Sequence, residues 1–417
     1  MTTAILELRK RLTEVRAILD EPYNGLPAKE YKFPIMSLLK DYGNPSASQN
    51  RMDSNALEAK LAEFGFEGKV VGVKKGPVVS RYEVKLAPGI KLSQVKGISE
   101  DLAIALMSDK VRILAPIPGT SLVGIEVANE KPSIIGLRKV LETLFGANPD
   151  HKSYQKELRK AKVAKGTTEI AMALGVDTTG KPVIFDLVRM PHLLIAGQTG
   201  SGKSVCLNAI ILSILFTKTP EECQLVLVDP KRVEMTSYAD IPHLWRPVVT
   251  EPADATEVFG SLITEMEHRY HILEQNRVRN IQSYNGLEGV EKMPYIVAVV
   301  DEMADLMMTS GKELEAQIVR LAQLSRAVGI HLVLATQKPI VKVITGLIKS
   351  NMPSRIAFQV GSKMDSRVIL DCNGAEKLAG RGDMLMIHPG SSEPERFHGA
   401  WVSDAEIEAV VKWGVDG

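Results

Sequence analysis

One turn constrains the fold of this chain more than any other feature. Residues 192–212 read HLLIAGQTGSGKSVCLNAIIL, and within them Gly197, Gly202, Lys203 and Ser204 satisfy G-x-x-x-x-G-K-[ST]. The run HLLIAG before the turn is short and apolar, which predicts a buried strand. SVCLNAIILSILF after it is apolar on nearly every face, which predicts a buried helix. A strand that feeds a glycine turn and then a helix gathers backbone N–H groups and the positive end of a helix dipole around one point. Such a point holds phosphate. Gly197, Gln198, Thr199, Gly200, Ser201, Gly202, Lys203, Ser204 and Val205 are therefore the expected nucleotide contacts. Lys203 would reach the β/γ-phosphates of ATP, and the Ser204 hydroxyl would ligate Mg²⁺.

The chain has 417 residues, enough for two or three domains, and 45% of them are hydrophobic, enough for large cores. No apolar run approaches the roughly 20 residues of a membrane span. The N-terminal stretch MTTAILELRKRLTEVRAILD carries charge throughout, so it is not read as a signal peptide. Cys206, Cys223 and Cys372 have no CxxC spacing, which predicts free thiols in a reducing, cytoplasmic setting. The eight histidines are scattered and read as structural. A net charge of +1 requires any polyanionic partner to be held by a local patch.

Four segments follow along the chain. Residues 1–53 hold an N-terminal helix, with Ile5, Leu8, Leu12, Val15 and Leu19 on one stripe, and a connector rich in Pro, Gly and Ser. Residues 54–150 form a smaller α+β domain: a helix, two strands around a Gly-Pro turn, a helix, another strand pair, and a closing helix in IIGLRKVLETLFG. Residues 151–166 are a charged linker. From 167 to 417 apolar strands alternate with helices, which predicts an α/β domain on a mainly parallel sheet.

That last segment carries more chemistry. YIVAVVDEMADL is a buried strand ending in Asp301 and Glu302. At the tip of a strand beside the phosphate turn, Asp301 would orient Mg²⁺ and Glu302 would polarise the attacking water as general base. A competitor, Asp229 in QLVLVDPKRVE, is followed by proline rather than a second acid, and its strand is expected to intervene. GIHLVLATQKP ends in Thr336 and Gln337, and a polar amide there suits a sensor of the γ-phosphate. Between His331 and Asp371, six cations (Lys338, Lys342, Lys349, Arg355, Lys363, Arg367) face two acids (Asp365, Asp371). With Phe358 the one aromatic of the stretch, this excess suits a duplex backbone better than stacked bases. The alternative is a solvated face.

From about Leu57 to Trp413 the sequence resembles the FtsK/SpoIIIE DNA translocases. The strings that carry the resemblance include GPVVSRYEVKLAPGIK, MPHLLIAGQTGSGKSV, LVDPKRVEM, PYIVAVVDEMADLMM, RLAQLSRAVGIHLVLATQKP, VITGLIKSNMPSRIAF and DSRVILD. The resemblance implies an α domain followed by a RecA-like P-loop motor, assembled as a hexameric ring around double-stranded DNA. It makes Lys203 and Ser204 the Walker A pair, Asp301 and Glu302 the Walker B pair, and Gln337 the sensor. Arg326 in LSRAVGIH falls where the family supplies an arginine finger to the neighbouring subunit, with Arg355 the second choice. Lys338, Lys349, Lys363 and Arg367 match positions similar to the family's DNA contacts. Family members often begin with a membrane-spanning region and end with a winged-helix γ domain, and neither is expected here. The implied activity is ATP-driven movement of duplex DNA. The alternatives are a type VII-like protein secretion ATPase and a nucleotide-switched DNA clamp.

Overall fold

A computed structural model describes residues 31–43, 53–145 apart from 109 and 118, and 169–416 apart from 392. The predicted helix at 1–20 and the linker at 151–166 lie outside the described residues. A first, smaller unit runs α1 (Ser54–Glu63), β1 (Gly68–Lys75), β2 (Val79–Leu86), α2 (Leu92–Gly97), α3 (Ser99–Ala105), β3 (Val111–Leu114) and β4 (Val123–Ala128). Its strands pair antiparallel in the order β1-β2-β4-β3. Alternate residues of β2 point into a core with Leu57, Leu61, Leu102 and Ile125, as expected of a sheet covered on one face. The short helix α2 was not expected from the sequence.

The helix predicted to close this unit, α4 (Leu137–Phe145), packs elsewhere. Leu137, Val140 and Leu141 are buried in the core of the larger unit, against β5 (Ala171–Asp177) and β6 (Pro182–Asp186). Part of the predicted connector does the same. The Tyr31 hydroxyl donates to the Leu215 carbonyl (2.8 Å), Met36 and Leu39 enter the large core, and the Trp413 indole N–H donates to the Phe33 carbonyl (3.1 Å). Loop-like composition hid these apolar anchors because they repeat at neither helical nor strand period.

The larger unit continues with β7 (Leu193–Ala196), α5 (Lys203–Thr217), β8 (Cys223–Val228), α6 (Pro252–Gln275), α7 (Ile281–Asn285), β9 (Tyr295–Val300), α8 (Met303–Leu324) and β10 (Ile330–Thr336). It ends with α9 (Gly346–Asn351), β11 (Ser354–Phe358), α10 (Lys363–Leu370), β12 (Asp383–Ile387), β13 (Glu395–Gly399) and α11 (Asp404–Asp416). Nine strands form one sheet in the order β6-β5-β13-β12-β11-β7-β10-β9-β8. The five from β11 to β8 are parallel, while β12, β13, β5 and β6 extend the sheet antiparallel. Every residue of β7, β9 and β10 is buried, which is why these strands read as unbroken apolar runs. Helices α4 and α5 pack against β5, while α6, α8 and α9 form a second group that leans on β10 through α8. No helix among the described residues is long and apolar enough to cross a membrane.

One expectation about strand order is corrected. The strand ending in Asp229 does not lie between β7 and β9; it is the edge strand β8, and β10 is the intervening strand. In a parallel sheet built by crossovers, chain order does not fix neighbour order.

The two units meet through buried charge. Arg396 on β13 donates to both oxygens of Asp383 on β12 (2.9 and 2.6 Å) and to Glu126 on β4 (2.7 Å), which also accepts from Arg112 on β3 (3.1 Å). Burial works to raise both carboxyls, yet Arg396 holds Asp383 below its ordinary value, and Arg396 with Arg112 does the same for Glu126. At the turn between β1 and β2 the units touch closely: a Cβ on Gly76 would lie 2.0 Å from the Thr178 carbonyl oxygen.

Candidate functional site

The site forms where the parallel strands β7, β9 and β10 end. Leu193–Ala196 pair in register with Val333–Thr336, so Gly197 opens the glycine turn directly beside the tip of β10, its N–H donating to the Thr336 carbonyl (3.2 Å). Gly202 has φ of +112°, a left-handed conformation suited to glycine, and a Cβ there would lie 2.6 Å from the Gly382 nitrogen. The Gly382 N–H in turn donates to the Ser201 carbonyl (2.8 Å). The turn is thus fixed by the segment leading into β12 as well as by its own glycines. Helix α5 starts at Lys203 and is buried along almost its whole length, matching its all-round apolar sequence.

Lys203 and Asp301 meet. The buried Lys203 ammonium donates to the Asp301 carbonyl (2.8 Å) and pairs with its carboxylate Oδ1. Asp301 Oδ2 is buried and has no hydrogen-bond partner among the described residues. A buried carboxylate oxygen with an open lone pair, on the residue that pairs with Lys203, and a half-buried hydroxyl on the next residue, Ser204, are the kind of donors that a hard divalent cation takes. Ser204 and Asp301 therefore fit Mg²⁺, and the turn from Gly197 to Val205 fits the phosphates.

Glu302 is held differently. Its Oε1 accepts from the Thr336 hydroxyl (2.6 Å), the Ala304 N–H (3.2 Å) and the Gln337 N–H (3.2 Å). Its Oε2 accepts from the Lys231 ammonium (3.0 Å) and again from the Gln337 N–H (3.1 Å). Burial works to raise this carboxyl, but the bonds from Thr336, Lys231 and Gln337 outweigh it and hold Glu302 below the usual glutamate value. The Gln337 side chain accepts from the Thr199 hydroxyl (2.8 Å), so the strand tip is tied to the phosphate turn.

Asp229 has a structural task. Val228 pairs with Val300, which sets Asp229 beside Asp301. Its Oδ2 accepts from the N–H groups of Val233, Glu234 and Met235 (2.8–2.9 Å), and Oδ1 from that of Lys231 (3.2 Å). The carboxylate is consumed in shaping the loop that presents Lys231. Sequence reasoning missed Lys231; the signal was its place three residues beyond the end of β8, the strand adjoining β9.

The remaining candidates are dispersed. Arg326 is exposed on a 3₁₀ turn (Ser325–Val328) just before β10, at the strand edge opposite the phosphate turn. Arg355 and Lys349 share Asp371 (2.6 and 2.7 Å). Lys338 is exposed just beyond the tip of β10, whereas the helix carrying Lys349 leads into the opposite end of β11. Lys363 is exposed and faces Glu100 of the smaller unit (3.5 Å), in a groove between the units that Lys96, Arg112 and Lys377 also line. Arg367, one turn further along α10, is exposed and donates to the Asn373 side chain (2.8 Å). Lys363 and Arg367 share a face of α10, Lys349 meets the end of that helix through its capping Asp371, and Lys338 lies beyond the tip of β10.

The sequence matches the FtsK/SpoIIIE family over residues 155–341 and the FtsK alpha domain over residues 33–129. The alpha-domain match stops short of α4. Among curated relatives, the DNA translocase FtsK of Bacillus anthracis is 45% identical over 404 residues, covering 94% of this chain and 49% of the relative. That of Treponema pallidum is 50% identical over 368 residues, covering 86% and 44%. The chain spans about half the length of the curated relatives it matches. Among solved structures, the pCW3 conjugation coupling protein TcpA with ATPγS matches with a TM-score of 0.55 at 23% identity, covering 86% of this chain and 98% of TcpA. The cytoplasmic domain of the Thermomonospora curvata type VII secretion ATPase EccC matches with a TM-score of 0.54 at 23% identity, covering 67% of this chain and 34% of EccC. These two likenesses describe the fold.

Proposed function

The chain belongs to the FtsK/SpoIIIE family, and from that premise we propose that it is a P-loop ATPase that moves along double-stranded DNA as a homohexameric ring in the cytoplasm. The observation that carries the hydrolytic half is Glu302, a carboxylate held below the usual glutamate value and fixed at the strand tips where the phosphate turn opens. Lys203 is buried in the cradle and supplies positive charge to the terminal phosphates. Thr336 and the Gln337 N–H aim Glu302, which takes the proton of the attacking water. Gln337 joins that base to the phosphate turn through Thr199, a contact suited to reporting loss of the terminal phosphate. Bound Mg²⁺, held by Ser204 and Asp301, would neutralise charge on the phosphate oxygens.

Arg326 cannot serve its own site from the opposite strand edge, which favours a role toward a neighbouring subunit. Duplex DNA is the proposed cargo because the curated relatives are named DNA translocases and because Lys363 and Arg367 share one exposed face. The EccC likeness keeps a secretion motor as the second reading, since the same core supports it. ATP turnover measured with duplex DNA, with single-stranded DNA and with neither separates the two. Stimulation by duplex DNA alone is expected, and equal rates in all three would discard the translocase reading.

A further inference from the structure

Glu302 carries a full complement of donors. Among the described residues the Thr336 hydroxyl, two backbone N–H groups and the Lys231 ammonium occupy its two oxygens. A carboxylate offers about four acceptor positions, so as arranged Glu302 has little left for an attacking water. For it to take a proton, one donor must leave.

The four donors differ in how freely they can do so. The Ala304 N–H belongs to the first turn of α8, which Glu302 itself caps. The Gln337 N–H follows directly on β10, and Thr336 is buried at the end of that strand. These three are parts of the sheet and of a long helix. Lys231 alone sits on a loop, with its side chain 36% exposed against 1% for that of Glu302. Its backbone is steadied by Asp229, but a flexible four-carbon stem separates its ammonium from that anchor. The adjoining Arg232 adopts a positive φ of 55° and is exposed, so the loop is not a continuation of regular structure. The acids near Lys231 are Glu302, Asp305 and Asp301; Asp301 is engaged with Lys203, which leaves Glu302 as the strongest attraction.

We propose that Lys231 is a positioning residue that latches the catalytic glutamate in a resting state, and that its withdrawal opens Oε2 of Glu302 to the attacking water. With Lys231 removed, Oε2 keeps only the longer, shared bond from Gln337. The latch slows idle hydrolysis and makes turnover depend on whatever displaces the loop. The inference rests on the ATPase reading above but not on DNA as the cargo.

The test is steady-state ATP turnover by the full chain carrying Lys231→Met, Lys231→Gln or Lys231→Arg, each first shown to keep the parent's melting temperature and nucleotide affinity. Lys231→Met and Lys231→Gln should raise kcat without DNA by roughly threefold to tenfold, the scale of losing one partly exposed ion pair, with KM for ATP unchanged. Any stimulation by duplex DNA should shrink by the same factor. Lys231→Arg, which can still pair with Glu302, should restore the slow basal rate. If kcat falls or stays level in both neutral variants, Lys231 is no latch, and a fall rescued by arginine would mark it instead as an aligning group. A parent protein that hydrolyses ATP without responding to duplex DNA would overturn the translocase reading, while the basal-rate comparison would still decide the latch.

Discussion

At Glu302, one carboxylate links the tips of three strands: it follows β9, accepts from the end of β10, and pairs with the loop that follows β8. Glu302→Gln keeps the shape and an acceptor oxygen but cannot take a proton. Turnover should therefore fall roughly 10²- to 10⁴-fold, the usual worth of a positioned base, while nucleotide binding persists. Phosphate release and a fluorescent-nucleotide titration on the same preparation check both halves. Appreciable turnover would move the base elsewhere, although Asp229 is already committed to four backbone N–H groups of its own loop. Lys203 and Glu302 were legible in the sequence because each is defined by its immediate neighbours. Lys231 was not, because its partner is 71 residues away and only sheet pairing brings them together.

Among the elements, α10 carries the test of DNA contact. Ser362 caps its N-terminus, accepting from the Asp365 N–H, and Arg367 follows Lys363 by one turn, so both cations project from the same face. Replacing both with alanine should weaken duplex binding about equally for all sequences. It should also lower the slope of log affinity against log salt by roughly 1.8, from about 0.9 for each lost phosphate contact. Titrations against one duplex at several salt concentrations read this directly, and an unchanged slope would remove the helix from the DNA surface. ATP turnover without DNA should be unaffected, since Lys363 pairs with Glu100 and Arg367 with Asn373 rather than with Lys203 or Glu302.

The elements themselves were largely visible in the sequence. The helix after the glycine turn, the β9 and β10 strands, and the four strands of the smaller unit all stand where periodicity or apolar runs put them. What periodicity could not supply was placement. It says that α4 is amphipathic but not that its apolar stripe faces the larger core, and it ranks strands along the chain rather than across the sheet. Likewise the count of cations between His331 and Asp371 set Asp371 against the total as one charge but could not show that it engages Lys349 and Arg355 together.

Over the whole molecule, the buried contact of Arg396 with Asp383 and Glu126 ties the smaller unit to the corner that also braces the phosphate turn at Gly382. The other feature at this scale is the separation of Arg326 from Glu302. They lie at opposite ends of the seven-residue strand β10, which alone spans about 23 Å. If each nucleotide draws its base from one molecule and its arginine from the next, an isolated molecule carries two half-sites and no whole one. Hydrolysis then ceases to be first order in protein. Specific activity should fall on dilution, whereas Arg326→Ala should be slow at every concentration, by roughly 10³- to 10⁵-fold against the assembled parent. Mixing Arg326→Ala with Glu302→Gln should recover part of the rate, because some junctions between unlike molecules would hold both intact halves. Rate measured against total protein across the dilution series reads the order directly. A straight line through the origin would place both groups in one molecule, and upward curvature would make concentration itself a switch, with lone chains unable to spend ATP.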